Sequence, residues 1–399
     1  MSVAVGKIVT QVNSKILSGG QDVINTARLA GSVEAIEEIY SVANLASLPP
    51  AADNTGRFIY VIDIGAYRYS DGTQWTNDYD TTLTATSGQL WSWGLNACGN
   101  LGDGTTVNKC SPVREFCSAT DWSGVKAGYY HSAALKTSGQ IWVWGCNGCG
   151  NLGDGTTVNK CSPVREISSS TDWCQLSAGG AGGAAIKTSG QIWTWGSNVF
   201  GVLGDGTTVT KCSPVREISS STDWCQVNVR NSTMSAIKTS GQLWAWGRNF
   251  CGALGDGTIT DRCSPVREIC SATDWCSACS GGGLIVAIKT SGQLWGWGYN
   301  NNGRLGDGTA TARCSPVREF CSATDWCQVS TGYRRSVAIK TSGQLWAWGC
   351  NFAGSLGDGT TVTKCSPVRE FCSATNWCQA STGRHHTLAV KITKGFNEP

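Results

Sequence analysis

The histidines come first as candidates for chemistry, because imidazole can act as a general base or as a metal ligand. The chain has three of them, His131, His385 and His386. An adjacent His pair is poor metal-ligand spacing, and no zinc-type pattern of cysteine and histidine surrounds it. No histidine elsewhere completes a Ser-His-Asp or Cys-His arrangement. The sequence therefore predicts that the protein is not an enzyme and needs no metal and no cofactor.

Acidic residues give no better catalytic candidate. An aspartate recurs in the motif Leu-Gly-Asp-Gly-Thr, as at Asp103 and Asp154. One acid in each of six identical turns favours a structural turn over a Ca²⁺ site, which needs several oxygen ligands. Polysaccharide cleavage would need two carboxyl groups about 5 to 9.5 Å apart. After residue 86, only Asp261 and Glu398 are acids that the repeated motifs do not account for, so this activity is disfavoured.

The 21 cysteines do not follow the pattern of a disulfide framework. Cys270 has a second cysteine six residues later, at Cys276, but Cys117 has Ser123 at that spacing. Obligatory pairs should appear or vanish together. We interpret most cysteines as small buried apolar side chains. The N-terminus shows no signal peptide, which fits synthesis in a reducing cytosol.

An internal repeat accounts for most of the chain. The string SGQ[LI]WxWG begins at Ser87 and returns every 51 residues until Ser342, and LGDGT and CSPVRE follow it each time. Within one copy, Ala184–Lys187 and Gln191–Trp195 are predicted strands joined by a Thr-Ser-Gly turn. Pro214–Glu217 and Trp224–Val227 are two more. Four short strands per unit cannot bury both faces alone, so the units must stack, as in a β-propeller.

The spaced motifs carry a family resemblance. The run SGQLWAWGxNxxGxLGDGT, followed by SPV and a downstream Trp, resembles the repeats of the regulator-of-chromosome-condensation β-propeller family over residues 81–393. That family usually has seven blades, whereas six copies occur here. The last strand, His386–Lys391, would complete the first blade and close the ring. We predict a mainly β fold with a six-bladed propeller over 81–399; a seventh blade would use the hairpin Tyr67–Trp75.

The first 80 residues carry none of the repeats. Residues 1–50 are predicted to be a helical attachment and oligomerisation region, with short helices at Gln21–Leu29 and Val33–Leu48. In the second helix a narrow apolar stripe suggests packing on another chain, and its candidate oligomerisation residues are Val33, Ile36 and Tyr40.

Residues 51–80 are predicted to be a small β connector. The arrangement LPPAADNTGRFIYV…YRYSDGTQWTND resembles the connector segments of tailed-bacteriophage fibre and adhesin proteins. Fibres of this kind are usually trimers, so the resemblance implies a homotrimer attached to other virion tail or baseplate proteins.

Two loops vary between the six copies while the scaffold residues barely change. One follows the Trp-Gly of the repeat and the other precedes the Ala-Ile-Lys strand. Aromatic and Arg side chains on a rigid frame are typical of recognition surfaces. The alternative is neutral drift in exposed loops. The candidate receptor-binding residues are Leu95, Cys98, Tyr129, Tyr130, His131, Phe200, Arg230, Arg248, Phe250, Tyr299, Arg304, Tyr333, Arg334, Arg335, Phe352, Arg384, His385 and His386.

Charge points to the same loops. The formal net charge is +3, and the first 86 residues hold five bases and nine acids, or −4, so the remainder carries +7. Six variable-loop or adjacent arginines supply most of this excess, and a net charge as small as +3 argues against a nucleic-acid partner. No apolar run is long enough for membrane insertion.

These patterns predict a phage tail-fibre or adhesin structural protein. Its N-terminus would dock to the virion, and its propeller loops would bind a host cell-surface glycan or protein. It would be located in the virion tail after assembly in the host cytoplasm. The alternative hypothesis is an intracellular protein-interaction propeller that binds a soluble protein partner.

Overall fold

The computed structural model describes residues 88–180, 182–382 and 387–391, together with four short strands nearer the N-terminus. The chain divides into two compact units, one made of Met1–Thr84 with Ile392–Pro399 and the other of Ala85–Lys391. Each unit has its own strands.

The N-terminal unit contains one four-stranded sheet. Its strands, in chain and sheet order, are β1 (Tyr40–Val42), β2 (Phe58–Val61), β3 (Ala66–Ser70) and β4 (Trp75–Thr76). Strand β1 is parallel to β2, and the other two pairings are antiparallel. Strand β2 and the β3–β4 hairpin lie where β elements are predicted in this segment.

The helix predicted over Val33–Leu48 is wrong where the chain forms β1. Tyr40 and Val42 alternate with Ser41, and aromatic and β-branched residues at a period of two favour a strand. Tyr40 is therefore part of a strand rather than of a helical stripe. Val33, Ile36 and the helix predicted at Gln21–Leu29 lie outside the described residues.

The repeats form five complete four-stranded antiparallel sheets, here called blades 1 to 5, so the mainly β repeat fold is confirmed. Each blade begins at the Trp that ends one repeat and continues into the next repeat. In chain order the strands are β7–β10 at Trp122–Ala127, His131–Lys136, Ile141–Gly145 and Lys160–Arg165; β11–β14 at Trp173–Ala178, Gly182–Lys187, Ile192–Gly196 and Lys211–Arg216; β15–β18 at Trp224–Arg230, Thr233–Lys238, Leu243–Gly247 and Arg262–Arg267; β19–β22 at Trp275–Ser280, Leu284–Lys289, Leu294–Gly298 and Arg313–Arg318; and β23–β26 at Trp326–Thr331, Arg335–Lys340, Leu345–Gly349 and Lys364–Arg369.

The first strands of successive blades lie side by side, and glutamine side chains join them. Gln175 Oε1 accepts from the backbone N–H of Val227 at 2.6 Å, and Gln226 Oε1 accepts from Ala278 N at 2.8 Å. The fourth strand of each blade is the opposite edge and carries the Pro of the CSPVRE motif. Proline on an edge strand blocks further strand pairing, so this motif ends each sheet.

The core lies between blades. The second tryptophan of each WxW pair is almost fully buried in blades 1 to 5, as at Trp195 and Trp246. Trp246 packs with Ile192 and Leu203 of the preceding repeat. The Glu of CSPVRE is buried as well: Glu166 accepts from Trp173 Nε1 at 3.2 Å and from the backbone N–H of Ser168 at 2.6 Å. Each repeat is thus completed by its neighbour.

Two half-sheets flank the five blades. Strands β5 (Trp91–Gly94) and β6 (Lys109–Arg114) form one pair, and β27 (Trp377–Thr382) and β28 (Thr387–Lys391) form the other. The predicted pairing that would join β28 to β5 is absent from the described residues. Trp93 is consequently 62% exposed, whereas its equivalents in the complete blades are buried. The number of blades remains a prediction. Two short 3-10 helices, Phe250–Gly252 and Phe352–Gly354, lie in the variable loops.

Candidate binding face

Both variable loops lie at the same end of each blade. Because the strands are antiparallel, the turn from the first to the second strand and the loop from the third to the fourth strand share one end. Backbone hydrogen bonds join the two loops: Arg248 N donates to Ser232 O at 2.7 Å, and Cys350 N donates to Arg334 O at 2.9 Å. We call this end the loop face. The opposite end carries the repeated Thr-Ser-Gly turns.

An asparagine fixes the longer loop and was missed by sequence reasoning. It follows the Trp-Gly-x of every copy, as at Asn147, and is fully buried each time. Asn147 Nδ2 donates to Asp154 Oδ1 at 2.9 Å and to Thr156 O at 3.0 Å, while Leu152 N donates to Asn147 Oδ1 at 3.0 Å. The first variable loop therefore changes around a constant polar anchor. Its presence in all six copies was the available signal.

The aspartate of LGDGT belongs to the same turn. Burial alone would raise the pKa of the Asp154 carboxyl, but hydrogen bonds from Thr156 and Asn147 and the charge of Lys160 hold that pKa below its usual value. Lys160 Nζ lies 3.6 Å from Asp154 Oδ2. The carboxylate is thus ionised and neutralised within its own repeat, as expected for a structural turn.

Aromatic and arginine side chains from four neighbouring blades form a continuous row on the loop face. The guanidinium of Arg248 lies 4.8 Å from the ring centroid of Phe200 and 5.3 Å from that of Phe250. Phe250 contacts Tyr299 at 5.5 Å between centroids, and Arg304 lies 4.4 Å from the Tyr299 ring. Tyr333 and Arg334 of blade 5 extend this row. We call the row the arginine–aromatic strip; its members are Phe200, Arg248, Phe250, Tyr299, Arg304, Tyr333 and Arg334.

Arg304 holds the strip together from beneath. It is 5% exposed, and its Nη1 donates to Tyr333 O at 2.7 Å and to Gly282 O at 3.2 Å, which ties blade 4 to blade 5. Burial lowers the pKa of this guanidinium from its ordinary value. Arg334 lies 5.7 Å from the Tyr333 ring and extends the strip onto blade 5. Arg304 thus positions neighbours, while Arg248 and Arg334 are exposed.

Several predicted site residues lie below the surface instead. Arg335 and His131 are each only 2% exposed. Burial lowers the pKa of His131 to about 4 and lowers that of the Arg335 guanidinium. His131 is therefore neutral at physiological pH. These two side chains occupy equivalent positions at the start of the second strand, where other copies carry Thr233 or Leu284, so they fill the core under the face.

Other predicted residues lie on the face outside the strip. Tyr129 of blade 1 hydrogen-bonds Asn231 of blade 3 across Gly180, whose lack of a side chain leaves room for the tyrosine ring. Tyr130, Leu95 and Phe352 are exposed, and Arg230 is half-buried at the end of β15. Arg384, His385 and His386 lie outside the described residues.

The cysteines differ from the prediction. Cys98 and Cys146 form a disulfide that joins the variable loops of the first two repeats. The free cysteines of the described residues are exposed or half-buried rather than buried. In the second to sixth copies the Cys of CSPVRE is half-covered: it lies on the edge strand, where a glycine of the preceding repeat packs on it, as Gly150 does on Cys212.

Positive charge on the loop face is not matched locally. The salt bridges among the described residues join repeat aspartates to repeat cations, as in Asp172–Lys187 at 2.9 Å, and none involves Arg230, Arg248 or Arg334. Neither variable loop contains a carboxylate in any copy. Asp261, further along one loop, accepts from Asn249 N at 2.7 Å and caps that loop. The loop face is thus cationic and aromatic.

Chemical machinery is not apparent in the described part of the chain. No group of three or more His, Cys, Asp or Glu side chains there could hold a metal ion. The cavity at the base of the loop face, lined by Ser197, Val199 and Met234, has a volume of about 20 Å³, roughly that of one water molecule. Among the same residues, no helix has the length and apolar character needed to cross a bilayer. The arrangement can bind a partner over a surface.

Sequence comparison matches the Regulator of chromosome condensation (RCC1) repeat at residues 87–135, 138–186, 189–229, 291–339 and 342–390. The Ultraviolet-B receptor UVR8 of Arabidopsis thaliana is 30% identical over 309 residues, which cover 75% of this chain and 70% of that protein. The E3 ubiquitin-protein ligase HERC2 of Mus musculus is 28% identical over 292 residues, but these cover only 6% of its length.

Solved structures agree on the fold. Human WBSCR16 has a TM-score of 0.67 at 20% identity, covering 76% of this chain and 82% of that one. Yeast RCC1 (Prp20) has a TM-score of 0.67 at 17% identity, covering 79% of each. None of the relatives named here is described as a fibre or adhesin protein. On the repeat matches and the identity to UVR8, the chain belongs to the regulator of chromosome condensation (RCC1) repeat family.

Proposed function

We propose that this chain is a non-catalytic interaction module that binds another protein through the loop face. The observation that carries the proposal is that the repeats vary most at one end of the blades. There, arginine and aromatic side chains stand on a scaffold whose buried Trp, Glu and Asn residues are constant. Function carried on loops over a rigid frame is a common division of labour.

Family relatives support a protein partner. The structure of yeast RCC1 (Prp20) is described with Kap60 bound, and another structure of Prp20p is described together with its binding to Gsp1p and histones. Those partners are facts about Prp20. For this chain they favour the protein-interaction hypothesis over the fibre hypothesis, since a protein of the same fold is described there with protein partners.

The test compares two triple variants of the full chain that alter the same three blades at opposite ends. The loop-face variant is R248A/Y299A/R334A, and the matched control, S240A/S291A/S342A, alters exposed serines of the Thr-Ser-Gly turns. Proteins crosslinked to the wild type in extracts are identified, purified and titrated against all three proteins. We expect at least a tenfold weaker affinity for the loop-face variant only. Equal losses in both variants would contradict the proposal.

A second candidate is the tail-fibre adhesin predicted from the N-terminal segment. Its supporting observation is that the six copies keep their scaffold and differ most on one face, as expected when a binding surface is under selection to change. This candidate includes a homotrimer, attachment to virion tail proteins and a host-surface receptor. Light scattering of the full chain tests it: a trimer mass supports the fibre assembly, and a monomer mass removes its main support.

A further inference from the structure

We infer that the arginine–aromatic strip binds an acidic, extended segment of the partner protein. This inference rests on the proposed function and adds the chemistry of the partner. It follows from the charge of the strip, from the way its arginines are held, and from its shape.

The charge of the strip favours an anionic partner. The exposed cations of the strip, Arg248 and Arg334, form no salt bridge within the described residues, and the variable loops around them contain no carboxylate. The repeat aspartates are paired with cations of their own repeats, and the buried repeat glutamates bind Trp and backbone N–H groups. A partner that brings carboxylates to this end therefore meets unneutralised positive charge.

The arginines of the strip are preorganised by their neighbours. The guanidinium of Arg248 lies 4.8 Å from the ring centroid of Phe200 and 5.3 Å from that of Phe250, so two aromatic side chains contact it. Rings that cover the faces of a guanidinium leave its N–H edge available, and that edge matches a carboxylate with two parallel hydrogen bonds. Arg304 fixes the adjoining backbone by binding the carbonyl groups of Gly282 and Tyr333. Little side-chain ordering is then needed when an anion binds.

The shape of the strip favours an extended partner. The strip crosses blades 2 to 5, and the cavity at the base of the face holds only about 20 Å³. Small-molecule pockets usually enclose several hundred Å³, far more than this cavity. Exposed Phe250 and Phe352 offer flat apolar contacts beside the cations. An extended chain that alternates carboxylates with apolar side chains matches this pattern, whereas a net charge of +3 gives little general attraction for nucleic acid.

The experiment titrates the full chain with a fluorescein-labelled peptide of alternating Glu and Leu and follows its anisotropy. The matched probe replaces every Glu with Lys. We expect the acidic peptide alone to bind, with affinity that falls as salt rises. R248A and R334A should each weaken binding about fivefold or more, and R248K should weaken it less than R248A. R230A is the matched control, because Arg230 lies on the same face but, within the described residues, makes no ring contact or side-chain hydrogen bond with the strip.

The outcomes separate this inference from the proposed function. Equal weakening by R230A and R248A would show attraction by general charge and overturn the strip as a site. Binding of a sulfated oligosaccharide without binding of the acidic peptide would assign the strip to a glycan and likewise overturn it. If a purified protein partner depends on the loop face but is indifferent to R248A, R334A and salt, the proposed function stands and this inference fails. Melting curves of each variant confirm that the fold is retained.

Discussion

Trp348 of blade 5 lies directly against Gly306 of blade 4. A Cβ built on Gly306 would come within 2.9 Å of the indole Nε1, and the glycine has a φ of +74°. The same contact joins Trp195 to Gly153 and Trp297 to Gly255. The tryptophan and the glycine of LGDGT are therefore two halves of one joint between neighbouring blades.

Replacing that glycine should weaken the joint. We expect Gly306→Ala to lower the free energy of unfolding by about 2–4 kcal/mol. The alanine would be held in the left-handed backbone region, and its methyl group would be overpacked against the Trp348 ring. The matched control is Gly148→Ala, where an added Cβ meets nothing within 4 Å. Urea unfolding followed by tryptophan fluorescence measures both. Equal stability of the two variants would contradict a stabilising role for the contact between Trp348 and Gly306.

The same joint predicts how the two half-sheets meet. An added Cβ on Gly357 meets nothing within 4 Å, and Trp93, the unburied member of the tryptophan series, is exposed. A cleft of about 690 Å³ lies beside Gly357 and Phe371. In blade 5, Ser336 pairs with Trp348; the register one repeat further on places Thr387 opposite Trp93. We expect β28 to pair with β5 and so complete a sixth blade.

Hydrogen exchange tests this closure. If β28 and β5 pair, the amides of Trp91–Gly94 that do not face β6 should exchange as slowly as those of Ile141–Gly145, which lie in the complete blade 1. The amides of the Thr188 and Ser189 turn provide a fast reference. Exchange of these β5 amides at the rate of that turn would mean that the half-sheets stay apart.

The buried asparagine of the loop should be essential for stability. Asn147→Ala leaves the Leu152 N–H and the Asp154 carboxylate without their partner, and we expect a loss of about 2–4 kcal/mol. Asn301→Ala is the control, since Asn301 is exposed and its side chain donates one hydrogen bond, to the Tyr299 hydroxyl. Thermal unfolding compares them. A loss no greater than that of the control would exclude the anchoring role.

The blades could be predicted from the repeat because their signals are local. Alternating tryptophans indicate a strand, glycines mark the turns, and a proline marks the edge strand. The arginine–aromatic strip was only partly predictable. Arg248 and Phe250 were identified as loop residues, but the contact of Arg248 with Phe200 depends on how neighbouring blades pack. The burial of Arg335 and His131 could not be predicted for the same reason. Both positions look like loop positions in the sequence, but in the fold the adjacent blade covers them. Tyr40 shows the converse, since a helical spacing of apolar residues was overridden by strand pairing.

Buried His131 should make stability depend on pH. Its pKa is lowered to about 4 in the fold, so the unfolded chain binds a proton that the folded chain excludes. Stability is then full above the unfolded pKa of about 6.5 and falls as the pH drops towards 4, by at most about 3 kcal/mol. The repeat aspartates with lowered pKa values lose their contribution only at lower pH still.

His131→Leu, which copies the equivalent Leu284, should remove the loss of stability between pH 6.5 and 4. Urea unfolding at pH 8, 6 and 4.5 gives the comparison; parallel pH profiles for wild type and variant would show that His131 is accessible to protons in the folded protein.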